Sequence, residues 1–298
     1  MYTKNTTEAI FNKFREKLCE RDYYARKGDY GKLLIAGGSP GMAGAAFLSG
    51  LAAFKTGVGM VRYFGPEENR IVLQTLLPEA MYSSGGAFSS GFADAAALKG
   101  ALSWCTSLIA GPGMSLEKYA RDTVKQIFDA DLTEKDLVLL DADALNIISE
   151  GGLPIRRLSS GRKETNVIVT PHVGEMSRLT GKSISEIKAD PVKAAAEFSE
   201  KENCVTVLKD AETYIASPCG EVCGNNYGHP SMAKAGSGDV LTGIIAGAVN
   251  VLKEGVYIGA CAGDHIHALS GVLCAQKYGS HGVLAGNLAE EAAMIMRK

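Results

Sequence analysis

The sequence predicts an α/β fold, a mostly parallel sheet with helices on both faces, on three observations. Short apolar runs alternate with helical patterns from residue 32 to about 209. That alternation is the signature of βαβ units. The runs are almost continuously apolar, as strands covered on both faces must be. Several of them end in glycine-rich or acidic turns, where sheets of this kind hold their ligands.

Residues 1–30 are polar and read as a short helical arm with a turn at Gly28-Asp29. KLLIAGG (32–38) reads as a buried strand running into a glycine loop, and AGAAFLSGLAAFKTG (43–57) as a small-residue helix stopped by Gly57. VGMVRYF (58–64) is the next strand, followed by a short helix over 67–76. Further strands are TSLIAG (106–111), DLVLLDAD (136–143), NVIVTP (166–171) and CVTVLK (204–209), separated by helices over 115–130, 142–149, 174–180 and 191–202. ETYIAS (212–217) follows too closely for a helical crossover, so an antiparallel hairpin is expected. From Ser237 onward the chain reads as helix. With no repeat, low-complexity tract or polar linker, one domain over residues 1–298 is expected, with 1–30 as its arm.

Of the 298 residues, 46% are hydrophobic and 21% charged, enough to bury a core without staples. A net charge of −2 argues against a nucleic-acid partner. Seven cysteines, an odd number with no C-x-x-C, read as reduced thiols. The start lacks an apolar signal region, and Asp264, His265 and His267 interrupt the best apolar run before the roughly 18 residues of a membrane span. A cytoplasmic protein with no membrane partner is expected.

Chemistry concentrates in loops at the strand ends. GGSPGMAGAA (37–46) and AGPGMS (110–115) are glycine turns; LDADALN (140–146) carries Asp141 and Asp143; VTPHVGEMSRLTG (169–181) carries His172, Glu175 and Arg178. KAGSGDVLTGII (234–245) sets Asp239 in the first turn of an apolar helix. A helix N-terminus offers unpaired N–H groups and partial positive charge, which suits an anion, and Gly236 and Gly238 would let a ligand approach the backbone. Each polar residue also has a structural reading. Asp141, Asp143, Glu175 and Asp239 can cap helices, His172 can bond to backbone and Lys209 can be solvated. Asp264, His265 and His267 read as core or interface residues, with no zinc spacing. P-loop and G-x-G-x-x-G patterns are absent: the sixth position is Leu116 after Gly111-Pro112-Gly113, and Arg62 after Gly57-Val58-Gly59.

GGSPGMAGAA, LLPEAM (76–81), AGPGMS, LLDADALN, TPHVGEMSRLTG and KAGSGDVLTGIIAG (234–247), in this order, resemble the ADP/ATP-dependent NAD(P)H-hydrate dehydratases, relatives of the ribokinase-like small-molecule kinases. The resemblance covers roughly residues 28–295 and implies a ribokinase-like three-layer αβα sandwich. It implies repair of hydrated NADH or NADPH (NADHX, NADPHX) as a hydro-lyase reaction: ADP, or ATP, phosphorylates the ring hydroxyl and phosphate is then eliminated. Mg²⁺ would arrive with the nucleotide, with no direct metal ligand assigned. The family's epimerase domain would be a separate protein, and a homotetramer is expected. The alternative is a ribokinase-like kinase of a vitamin precursor or sugar.

By the same resemblance Asp239 is the base, and Ala43, Gly113, His172 and Asp239 contact the hydrated dinucleotide. Lys209, Asp210, Ala211, Glu212 and Thr213 run along the nucleotide, Gly236, Ser237 and Gly238 serve its phosphates, and Asn146 and Glu175 lie near phosphate and metal. Two turns depart from the family pattern. L-K-G reads Leu208-Lys209-Asp210, and G-N-P-G-M-A reads Gly228-His229-Pro230-Ser231-Met232-Ala233.

Overall fold

The computed structural model describes residues 5–225 and 227–297. In chain order its first half contains β1 (Asn5–Thr6), α1 (Thr7–Cys19), β2 (Lys32–Ala36), α2 (Ala43–Lys55), β3 (Met60–Gly65), α3 (Arg70–Leu76), β4 (Met81–Ser84), α4 (Ala95–Trp104), β5 (Ser107–Ala110), α5 (Lys118–Asp129), β6 (Leu137–Leu140) and α6 (Ala142–Gly151). The second half continues with β7 (Val167–Val169), α7 (Val173–Thr180), α8 (Ile184–Ala189), α9 (Pro191–Glu202), β8 (Val205–Leu208), β9 (Thr213–Ala216), β10 (Val222–Asn225), α10 (Ser237–Leu252), α11 (Val256–Gly282) and α12 (Ala285–Ile295). Backbone at Gly279 interrupts α11 with a non-helical residue.

Ten strands form one sheet in the order β1-β10-β9-β8-β7-β6-β5-β2-β3-β4. Only β9 runs antiparallel to its neighbours β8 and β10, as the short connection after residue 209 predicts. The central strands are buried on both faces, Leu33 to Ala36 and Leu137 to Val138 fully so, which explains their unbroken apolar sequences. One core lies under α1, α2, α10, α11 and α12, and the other under α4 to α9. No helix among the described residues is long and apolar enough to cross a membrane. None of the seven cysteines, all among the described residues, forms a disulfide.

Boundaries differ from the sequence reading where local chemistry intervenes. The helix expected from residue 115 starts at Lys118, because Ser115 takes a left-handed φ of 70° and keeps the chain in a turn. The strand expected to reach residue 171 ends at Val169, since Pro171 has no N–H for a ladder. Strands β4 and β10 and helices α4 and α8 are additions to the expected elements. The first four residues of the expected arm lie outside the described residues.

β2 is flanked by β5 on one side and β3 on the other, so successive strands diverge from it in opposite directions. Such a switch point opens a crevice beyond the carboxyl ends of the two strands. The glycine loops 37–42 and 111–115 emerge there. Gly38 N donates to Pro112 O at 2.8 Å and binds one loop to the other.

Candidate active site

The first turn of α10 lies against α2. Gly236 caps it with φ +91°, and a Cβ there would come within 2.5 Å of Leu48 Cδ1. Its glycine therefore answers to backbone geometry and packing on Leu48, rather than to a ligand's approach. Gly238 differs: the nearest atom to a Cβ there would be Lys209 Nζ at 3.5 Å, which leaves the turn open. The Asp239 carbonyl accepts from Ser49 Oγ at 3.0 Å and from Thr242 Oγ1 at 2.7 Å, and those two hydroxyls lie 3.0 Å apart. The chain thus ties the base of the turn to α2.

The Asp239 carboxylate takes no hydrogen bond among the described residues, so it is not a cap. Its pKa is raised to about 6 by burial and by Asp141, against a lowering by Lys209 and with a further rise from Asp143. A carboxyl group tuned this way can accept a proton near neutral pH.

Asp141, Thr170 and Lys209 come from the ends of β6, β7 and β8. Asp141 is 2% exposed; its Oδ1 accepts from Lys209 Nζ at 2.8 Å and from Thr170 Oγ1 at 2.7 Å. Asp141 is therefore an ion-pair partner and not the helix cap its position suggests. Lys209 is not a solvated strand end either, its side chain being 20% exposed. Burial lowers the Lys209 pKa, but Asp141 and Glu175 outweigh this and hold the ammonium charged. Glu175 is pushed above the usual carboxylate range by burial, partly relieved by Lys209.

His172 and Glu175 cap α7 reciprocally. His172 Nδ1 accepts from Gly174 N at 2.9 Å, and Glu175 Oε2 accepts from His172 N at 2.9 Å. The backbone-bonded reading of His172 holds, and its half-exposed ring also borders the main cavity. Asn146 spends its side chain on Arg178, whose Nε donates to Oδ1 at 2.9 Å.

At the switch point, Gly113 (φ +60°) packs so tightly on the start of α2 that a Cβ would meet Met42 O at 2.8 Å. Asp143 Oδ2 accepts from Ser115 N at 2.8 Å and pins this loop to α6. Ala43, 9% exposed, opens α2 beside it.

The main cavity, of about 1000 Å³, runs from His172, Lys209 and Gly238 toward Thr213, Asn225 and Asp264. That is room for a nucleotide. Asp210, Ala211, Thr213 and Ser237 line it. Glu212 does not line it; the side chain is exposed and pairs with Tyr214. Ala43, Gly113, Asn146, Glu175, Gly236 and Asp239 also lie outside its walls, while Ser237 and Gly238 of the α10 turn line it.

Polar walls of the cavity that were not anticipated include three buried residues. Asp264 and His267 are buried, as a core reading expects, and they also line the cavity. The i, i+3 spacing puts both on one helix face, a signal legible only once that face is known to look onto a cavity. Asn225 is the third. His265 does pack in the core, its ring 4.9 Å from that of Phe11.

A family model for NAD(P)H-hydrate dehydratase matches residues 33–293. The ADP-dependent (S)-NAD(P)H-hydrate dehydratase of Bacillus subtilis is 33% identical, over 95% of both chains. The bifunctional NAD(P)H-hydrate repair enzyme of Moorella thermoacetica is 36% identical over 95% of this chain, which spans 52% of that protein. The chain thus spans about half the length of such bifunctional relatives. The crystal structure of an ADP/ATP-dependent NAD(P)H-hydrate dehydratase from B. subtilis, co-crystallized with ATP/Mg²⁺, superposes with a TM-score of 0.78 at 29% identity, covering 99% of this chain and 97% of that one.

Proposed function

The chain belongs to the NAD(P)H-hydrate dehydratase family, and on that premise we propose that it is an ADP-dependent (S)-NAD(P)H-hydrate dehydratase, a hydro-lyase that repairs hydrated NADH and NADPH. The observation that carries this reading is the unbonded Asp239 carboxylate, its pKa raised by burial, on the first turn of α10, where Ser237 and Gly238 line a nucleotide-sized cavity.

In the reaction Asp239 takes the proton of the hydroxyl on the hydrated ring, and the oxygen attacks the terminal phosphorus of the nucleotide. A P–O bond forms, the bond to the leaving nucleotide breaks, and ADP departs as AMP. The α10 N–H groups and Lys209 face the negative charge that builds on the transferred phosphate, with no reorganisation needed at that moment. The ring nitrogen's lone pair then expels phosphate, and loss of a ring proton restores the dihydronicotinamide. Ala43 and the Gly113 loop, packed together, would form the wall met by the flat ring, and His172 would border both ligands.

Magnesium fits the charge balance here. Lys209 faces Asp141, Glu175 and Asp239, a negative surplus suited to a cation carried on the phosphates. No three ligand-type side chains converge into a metal cage among the described residues. Glu175 and Asp141 would therefore hold Mg²⁺ mostly through phosphate and water. The ion would supply neutralisation of the phosphate charge. Homotetramer formation is part of the proposal, and the exposed Ile71, Val72 and Leu76 of α3 offer apolar surface for it.

The test supplies hydrated NADH, Mg²⁺ and ADP, ATP or no nucleotide, and follows recovery of the near-ultraviolet absorbance of dihydronicotinamide. Recovery that needs nucleotide and collapses in Asp239→Asn is expected. Folded protein that binds nucleotide yet restores no absorbance would transfer the assignment to a ribokinase-like kinase of another hydroxyl.

A further inference from the structure

Asp264 is only 2% exposed, yet it borders the main cavity. Its carboxylate accepts from Asn225 Nδ2 at 2.6 Å and from the Thr213 hydroxyl, and among the described residues no cation offsets its charge. Burial pushes its pKa up to about 7. A buried carboxylate without a countercharge is costly, so a site that needed only packing would be better served by an apolar side chain.

Its place on α11 says which part of a ligand it meets. His267, three residues on and on the same face, has Nε2 3.3 Å from Ser237 Oγ at the start of α10. One helical turn, about 5 Å, therefore separates the phosphate end of the cavity from Asp264, in the direction of Thr213 and Asn225. A nucleotide with its phosphates at Gly238 brings its sugar and base to that point. Both carry hydrogen-bond donors, in the ribose hydroxyls and the exocyclic amine, and a fixed acceptor discriminates strongly against analogues lacking the matching donor.

We propose that Asp264 is a specificity-determining residue for the phosphate donor, accepting a hydrogen bond from a donor group on its nucleoside half while Asn225 and Thr213 hold the carboxylate in place. This rests on the nucleotide reading of the cavity given above.

Calorimetric titration with Mg²⁺ tests it on wild type, Asp264→Ala and the isosteric Asp264→Asn, each checked for wild-type melting. The probes are ADP, 2′-deoxy-ADP, 3′-deoxy-ADP, inosine diphosphate and inorganic pyrophosphate. ADP binding is expected to weaken about 10- to 100-fold in Asp264→Ala while pyrophosphate binding stays unchanged. One analogue, the one missing the recognised donor, should bind wild type as weakly as ADP binds the variant and lose nothing more on substitution. Its identity names the donor as a ribose hydroxyl or the base amine. ADP affinity equal in all three proteins, a matching loss for pyrophosphate, or a loss that no analogue reproduces would overturn the inference alone. Wild type that binds none of the five probes would overturn the nucleotide reading beneath it.

Discussion

The Lys209 ammonium donates to the Asp141 carboxylate at 2.8 Å and so joins the ends of β8 and β6 across the intervening β7. The pair lies at the candidate site and, after burial, contributes most to the potential felt by Asp239. Lys209→Met leaves Asp141 buried and uncompensated. A loss of about 3 kcal/mol in unfolding free energy is expected, read by denaturant titration.

Asp239→Asn removes the proposed base and leaves the α10 turn in place. A fall in kcat of about 10²- to 10⁴-fold is expected, with ADP affinity retained in a calorimetric titration. Wild-type kcat/KM should rise with pH through about 6 as the carboxyl ionises. Because Lys209 lowers the Asp239 pKa, the residual activity of Lys209→Met should show that limb moved to higher pH.

The same carboxyl makes stability depend on pH. Its folded pKa, about 6, exceeds the ordinary 3.8, so the folded state holds the proton more tightly than the unfolded chain. That contribution is full below about pH 4 and is lost as pH rises through about 6. Asp239→Asn should therefore be more stable than wild type at neutral pH, by about 1–3 kcal/mol, and gain nothing in acid. Thermal melts of both proteins across this range give the sign directly.

Asp143 acts at one remove, through its 2.8 Å bond to Ser115 N. Asp143→Ala should loosen the Gly113 loop and raise KM for the hydrated dinucleotide about 3- to 10-fold. KM for ADP should stay unchanged, since this loop does not line the main cavity.

Gly243 faces Ser49 on α2, where a Cβ would stand 2.2 Å from the Ser49 carbonyl oxygen. Gly243→Ala must push the helices apart, at a cost of about 1–3 kcal/mol. It should also lower kcat, because the Asp239 carbonyl hangs from the same serine.

Periodicity revealed the buried strands and the larger helices, because a strand covered on both faces must be apolar throughout. It missed β4, whose residues are only partly buried, and β10, four residues that include Gly224 and Asn225. Helix α4 escaped because its alanine-rich sequence leaves little contrast between faces. Asp239, His172 and Lys209 were legible because they follow glycine or strand ends at one edge of the sheet. The pairing of Lys209 with Asp141 was not, because it joins residues 68 apart. Asp264 sits in an apolar helix where spacing marks a face, but only the fold says what that face looks onto.

The Ser49 anchor also bears on how such a protein can diversify. The proposed base and Ala43 ride on α10 and α2, which Ser49 ties together, whereas the cavity beyond Gly238 is walled in part by the β9–β10 hairpin and α11. Inheritance can act on these halves separately. On the proposed function, substitutions along the hairpin and the inner face of α11 would change the phosphate donor, while the proposed machinery for the hydrated ring would pass on unaltered.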